Sequence, residues 1–274
     1  MKKIISLLII GSLLTAGICT VLYPTVSNII NNINNESTII GYNKNVDSCS
    51  SEKIEKMFSD AQSYNQALAE NYISGDSGKS LEILKEYNKI LDFGEGLIGY
   101  IEIPDINVNL PVFHGESEEV LQKGAAHLQN TSFPVGGINT HTVISAHSGY
   151  PTQKFFDDID ELKKDSLIYV HTLNLTLTYK VCSSEIAEPD DSSKLNIAEG
   201  KDLITLVTCY PYGINSHRLL VTGERINNVN TSTSDETAES KKQIHSFPYI
   251  GLICIALVII FFIIYKIKNK LNKR

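Results

Sequence analysis

The chain has 274 residues, 24 Lys and Arg against 31 Asp and Glu, a net charge of −7 and 42% hydrophobic residues. Seven of the basic residues sit at the two termini, so the stretch between them carries about −14, which argues against a nucleic-acid partner and fits a solvated acidic surface. Of the five Cys, Cys19 and Cys254 lie in apolar terminal segments. Cys49, Cys182 and Cys209 remain, an odd set that in an oxidising compartment leaves one thiol free for reactivity, with a Cys49 to Cys182 bridge still open.

Residues 4 to 22 follow Lys2 and Lys3, carry no charge and stop before Pro24, close to the roughly 20 apolar residues that a bilayer span requires. Thr15-Ala16-Gly17 keeps a cleaved signal peptide as an alternative, whereas a lipoprotein reading of Cys19 is weaker because Ile18 stands where a small residue is expected. Residues 25 to 48 are rich in Asn, Ser and Thr and predict an extended connector. From Ser51 the period changes: Ile54, Met57, Phe58, Ala61, Tyr64, Leu68 and Tyr72 mark an amphipathic helix capped by Ser50 or Ser51. After a break at Ser74-Gly75-Asp76-Ser77-Gly78, Ser80 opens a second helical pattern through Leu81, Leu84, Tyr87 and Leu91.

From Gly96 the pattern is β. Strands are predicted over 97 to 103, 106 to 112, 141 to 146, 166 to 171, 174 to 182, 202 to 208 and 218 to 226, with Pro104-Asp105 as a turn, Pro111 at an edge or strand end and 117 to 122 as a short helix. Seven or eight short strands with brief helical insertions imply a mainly β, closed or nearly closed barrel. Residues 229 to 246 read as a polar tether, 247 to 265 as a second span and 266 to 274 as a basic tail. The positive-inside rule then places both termini in the cytoplasm and everything between the spans outside.

The chemistry concentrates at strand ends. Cys209 closes an apolar strand and is followed nine residues later by Arg218, with Pro211, Gly213 and Asn215 in the turn between them. A thiol with a pKa of about 8.5 is a weak nucleophile at neutral pH and needs a base or a cation beside it. His147, where the strand from His141 runs into Ser148-Gly149-Tyr150-Pro151, has the same strand-end placement and is the candidate base. Arg218, always charged, is the candidate oxyanion stabiliser. A metal pair of His141 and His147 lacks a third ligand at suitable spacing, so no metal or other cofactor is expected. His114 and His127 read as structural loop residues, His171 and His217 as surface or hairpin residues, and His245 lies at the membrane boundary.

His147, Thr205-Leu206-Val207-Thr208-Cys209 and Asn215 to Arg218 resemble the His, Cys and Arg constellation of the sortases, membrane-anchored cysteine transpeptidases of Gram-positive bacteria. Residues 99 to 104 (GYIEIP), 110 to 115 (LPVFHG), 124 to 128 (GAAHL), 131 to 137 (TSFPVGG) and 209 to 215 (CYPYGIN) resemble the pilin-polymerising class C in particular. The resemblance implies a sortase-type barrel of about eight strands over residues 93 to 228, a helical lid-like region within 25 to 92 and an N-terminal anchor over 1 to 24. It implies that Cys209 attacks the Thr carbonyl of an LPXTG-like sorting signal, that His147 handles the protons, and that Arg218 stabilises the oxyanion or orients the signal. Thr208, Asn215 and Ala146 are the expected substrate contacts. The implied partners are LPXTG-bearing pilin or surface proteins, the cell membrane and, for a housekeeping-type enzyme, a peptidoglycan precursor amine.

One departure stands out. Class C lids carry an Asp-Pro-aromatic motif, but no Pro occurs between Pro24 and Pro104, and Asp76, Ser77 and Gly78 retain at most the Asp. A segment that occludes the site weakly, or by another contact, is expected. Two other classes fit the residues less well. A papain-like protease would place Cys before His, the reverse of the order here. A non-catalytic tethered barrel, an adhesin or pilus chaperone, leaves Cys209, His147 and Arg218 without a task.

Overall fold

The structure, a computed structural model, describes residues 2–74 and 85–226. Asp76, Ser77 and Gly78, the first turns of the second helical pattern, the polar tether, the second span and the basic tail lie outside the described residues. The chain divides into two units, of which the described parts are residues 2–26 and 27–226.

The described part of the first unit is helical and belongs to α1 (Lys2–Asp47). Ile9, Ile10, Leu13, Leu14, Val21 and Tyr23 are all exposed. Among the described residues α1 is the one helix long and apolar enough to cross a membrane. Residues 25 to 47, expected as an extended connector, are helical too, and the helix runs through Pro24. The Asn-rich composition misled because tertiary packing overrides weak propensity: Tyr42 and Val46 bury against Leu97 and Phe113, and the Tyr42 hydroxyl donates to the Ile98 carbonyl at 3.0 Å and accepts from the Leu173 amide at 2.7 Å.

In the second unit α2 (Ser51–Ser74) follows, with the Ser50 hydroxyl accepting from the Lys53 amide at 3.3 Å as the cap. Its apolar stripe buries Ala61, Tyr64 and Leu68 against Tyr87, Leu91, Ile98 and Phe133, while Asn65 exchanges two hydrogen bonds with the Phe133 backbone. The described end of the second helical pattern is only a 3-10 turn, Tyr87–Lys89, and Leu91 takes a left-handed backbone (φ 59°). Tyr87 and Leu91 are buried with the α2 stripe, as their apolar spacing predicts.

Eight strands close a barrel: β1 (Leu97–Ile103), β2 (Val108–His114), β3 (Ala125–His127), β4 (Thr140–Ser145), β5 (Leu167–Thr172), β6 (Leu175–Ala187), β7 (Asp202–Tyr210) and β8 (His217–Arg225). The spatial order is β1-β2-β3-β4-β7-β8-β6-β5, with β2/β3 and β4/β7 parallel and the other pairs antiparallel. The short helix α3 (Glu118–Leu121) lies between β2 and β3. The three-residue β3 was missed because a strand that short carries no alternation to read. The interior holds Ile101, Ile103, Ile144, Phe156, Ile168, Tyr179, Ile204, Leu206 and Val221, all fully buried.

His114 and His127 are structural, as expected, but they form a register pair on β2 and β3 rather than loop residues. His127 stacks on Phe133 (4.9 Å between ring centres, 5°), and its Nε2 donates to the Ser132 carbonyl at 2.9 Å. Burial pushes its pKa from 6.5 down to about 4. The unfolded chain therefore takes up a proton that the folded one refuses, and the associated stability, present above pH 6.5, is lost as pH falls toward 4. The shift corresponds to about 3 kcal/mol. The urea midpoint is expected to drop clearly between pH 7 and pH 4.5, and His127→Gln should flatten that dependence; equal midpoints at the two pH values in the native chain would contradict it.

Candidate active site

The strand registers build the site in rows. β4 pairs with β7 as Val143↔Thr205 and Ser145↔Val207, and β7 pairs with β8 as Thr205↔Thr222, Val207↔Leu220 and Cys209↔Arg218. The Ala146 amide continues the β4 ladder by donating to the Val207 carbonyl at 3.1 Å, so His147 stands one two-residue step beyond Ser145, level with Cys209. Side chains two apart on a strand share a face. Cys209 and Arg218 therefore form a row across β7 and β8 on the face turned away from the barrel interior, and continuing the β4 register past Ser145 would add His147 to it.

The two rows beneath are visible as contacts. His141 Nε2 and the Thr205 hydroxyl lie 2.7 Å apart and Thr205 and Thr222 hydroxyls 2.9 Å apart, while Val143, Val207, Leu220 and Ala187 form a small apolar cluster. These layers seat the row above them. His141 is spent structurally, with its Nδ1 2.8 Å from the Asn196 carbonyl, and no metal-binding cluster occurs among the described residues.

Cys209 is a free, half-buried thiol, and Cys49 and Cys182 are free as well. Arg218 donates from Nη1 to the His217 carbonyl at 3.1 Å and, weakly, to the Asn215 carbonyl at 3.5 Å. Among the described residues it pairs with no carboxylate, which leaves its charge available to a substrate oxygen. Asn215 closes the turn with φ 60°, a conformation Asn tolerates, and its amide donates to the Pro211 carbonyl at 3.0 Å. Thr208 and Ala146 lie at the ends of neighbouring strands. Both are buried, 4% and 3% exposed, and the Thr208 hydroxyl donates to the Ala146 carbonyl at 2.8 Å, so they tie β7 to the end of β4 and their side chains point to the core side.

The loop after His147 is fixed from several directions. The ring stacks on Tyr150 (5.1 Å, 9°) and meets Phe155 edge-on (6.2 Å, 62°). Asp157, which sequence reasoning missed, accepts from the Gly149 amide at 3.0 Å and the Phe155 amide at 2.9 Å. From α1, Asn28 accepts from the Lys154 amide at 2.9 Å and Asn31 donates to the Thr152 carbonyl at 3.0 Å. Such distant partners leave no local signal in the sequence. Gly149 sits at φ 76°, and a Cβ there would meet the Tyr212 ring at 3.3 Å. Gly149→Ala is expected to cost about 1 kcal/mol of stability through the left-handed backbone and to push Tyr212 off the His147 loop. A lowered melting temperature with loss of turnover would show this; an unchanged protein would mean the contact is slack.

The larger hollows lie elsewhere. One of about 570 Å³ runs between α2 and residues 136 to 140, another of about 470 Å³ between α1 and the start of the barrel, and neither is lined by Cys209, His147 or Arg218.

A closed eight-stranded barrel carrying thiol, imidazole and guanidinium in one row defines a cysteine-centred site of the acyl-transfer type. The family model for the sortase domain matches residues 101–226, and the chain belongs to the sortase family. Among solved structures it is similar to Clostridium perfringens sortase C with the C-terminal cell wall sorting motif, 41% identical over 70% of this chain and 98% of that one, with a TM-score of 0.61. It is also similar to Streptococcus agalactiae sortase C1, 39% identical over 70% and 99% of the two chains, TM-score 0.65. Sortase D of Bacillus subtilis is 29% identical over 131 residues, and the match spans 47% of this chain and only 63% of that protein.

Proposed function

We propose that the protein is a membrane-anchored class C sortase, a cysteine transpeptidase that cleaves an LPXTG-like sorting signal between Thr and Gly and passes the acyl group to a Lys amine of a pilin subunit in pilus assembly. The observation that carries this reading is the Cys209↔Arg218 register pair on β7 and β8, with His147 two residues past the end of β4, the strand paired with β7. Support for the substrate comes from the likeness to a sortase C solved with a cell wall sorting motif.

The row has what each step needs. The Cys209 thiolate attacks the Thr carbonyl carbon, and the oxygen becomes an oxyanion beside Arg218, which among the described residues pairs with no carboxylate. As the carbon–nitrogen bond breaks, His147 as imidazolium gives its proton to the departing Gly amine, and Cys209 holds the acyl group as a thioester. The neutral imidazole then accepts a proton from the incoming Lys amine, which attacks the thioester carbonyl; the new amide forms and the thiolate leaves. No cofactor enters these steps.

The proposal for topology follows the charge pattern: α1 anchors the chain, the barrel works outside the cell, and residues 247 to 265 return the basic tail to the cytoplasm. The segment around Asp76, Ser77 and Gly78 is proposed as a weakly occluding lid, since it lacks the Pro and the aromatic residue; a many-fold gain in peptide cleavage on trimming residues 25 to 92 would refute weak occlusion.

The function is tested by incubating the full chain with a sorting-signal peptide and weighing it. An adduct on Cys209 that an amine releases as a conjugate supports transfer. No adduct, with the native protein folded, would defeat the enzymatic reading.

A further inference from the structure

We infer that Glu118 is a positioning residue for His147, fixing which ring nitrogen is turned toward the reacting atoms. The inference rests on the transpeptidase reading for its use, but its geometry stands apart from it. α3 is started by Ser117, whose hydroxyl accepts from the Val120 amide at 3.4 Å. Its first residue, Glu118, accepts on Oε1 from the Gln122 side-chain amide at 3.0 Å, and the same oxygen stands 3.6 Å from His147 Nε2.

That nitrogen is closed off from solvent and has no hydrogen-bond partner. One ring face stacks on Tyr150 and Phe155 meets the ring edge-on, so the ring's remaining freedom is a flip about Cβ–Cγ, which exchanges Nδ1 with Cδ2 and Nε2 with Cε1. Other charges around the loop are already engaged: Asp157 by the Gly149 and Phe155 amides, and Lys154 by Asp158. Cys209 and Arg218 lie along the row on the β7 and β8 side. Among the described residues, Glu118 is thus the carboxylate that faces the imidazole.

A protonated Nε2 aimed at a carboxylate is favoured over a lone pair aimed at one, since two acceptors repel. The neutral ring is then the Nε2–H tautomer, and Nδ1 is the nitrogen that gives its proton to the leaving Gly amine and takes one from the incoming Lys amine. Through both half-reactions the Nε2 proton stays where it is. Glu118 is 65% exposed, so solvent screens the pair and the effect on rate is modest.

The test uses the full chain in detergent micelles with ¹⁵N-labelled histidine, the His147 ring signals being assigned by their loss in His147→Asn. At a pH where the ring is neutral, the native protein should show the Nε2–H pattern and Glu118→Ala a mixture of tautomers. With sorting-signal peptide, Glu118→Ala should lower kcat about five- to tenfold with KM little changed, and Glu118→Asp should recover part of both effects. An Nδ1–H pattern in the native protein, or a tautomer pattern that Glu118→Ala leaves unmoved, overturns the inference. If the native enzyme forms no thioester, the transpeptidase reading fails instead, and the nitrogen spectra still decide what Glu118 does.

Discussion

Cys209→Ala is expected to abolish the thioester adduct and to lower peptide cleavage by at least about four powers of ten, the scale on which removing a nucleophile acts in acyl transfer. The reason is chemical: the row offers one sulfur, and no neighbouring side chain can form the same intermediate. Cys209→Ser is the sharper version, because it keeps the size of the half-buried side chain and its place opposite Arg218. A hydroxyl is far harder to ionise than a thiol, and the candidate base is one histidine standing in an open row, so the Ser variant should fold normally and be equally inactive. Mass analysis after incubation with peptide, together with a melting curve, checks both. Residual adduct formation in the Ala variant would place the nucleophile elsewhere.

Arg218→Ala is expected to lower kcat by two to three powers of ten, about 3 kcal/mol of transition-state stabilisation. Arg218 spends its protein contacts on two backbone carbonyls of its own turn, His217 and Asn215, and on no carboxylate among the described residues. Its charge is therefore not cancelled before substrate arrives. Arg218→Lys keeps the charge as a point rather than a planar fork and should recover only part of the loss. Steady-state kinetics on both variants separates two roles. A fall in kcat identifies an oxyanion role, whereas a rise in KM with kcat preserved identifies a residue that only orients the signal peptide.

The folded core was largely legible because alternation with a period of two marks strands that have a distinct interior and exterior face. Leu175, Leu177, Tyr179 and Val181 alternate with polar residues, and the structure carries that strand on to Ala187 with a register shift around Cys182. Elements without a period were not legible. β3 is three residues long, and residues 25 to 47 are polar enough to read as a connector although Tyr42 and Val46 bury against the barrel. Among the site residues, Cys209, Arg218 and His147 announced themselves by chemistry at strand ends. Asp157, Asn28 and Asn31 did not, since an acid or an amide that holds a distant backbone group has no local pattern.

What the chain settles on its own is the inventory: a thiol closing an apolar strand, a guanidinium across a turn from it, an imidazole at another strand end and an apolar segment at the N-terminus. These depend on residue types and short spacings, which sequence states directly. That three of them share one row is a different matter. His147 and Cys209 are 62 positions apart, and only the parallel pairing of β4 with β7 brings them level. One residue of slip in that register would turn either side chain to the opposite face, because neighbouring side chains alternate across the sheet. The tertiary structure fixes the register by burying Ile144 and Leu206 on one side and by the His141, Thr205 and Thr222 contacts on the other.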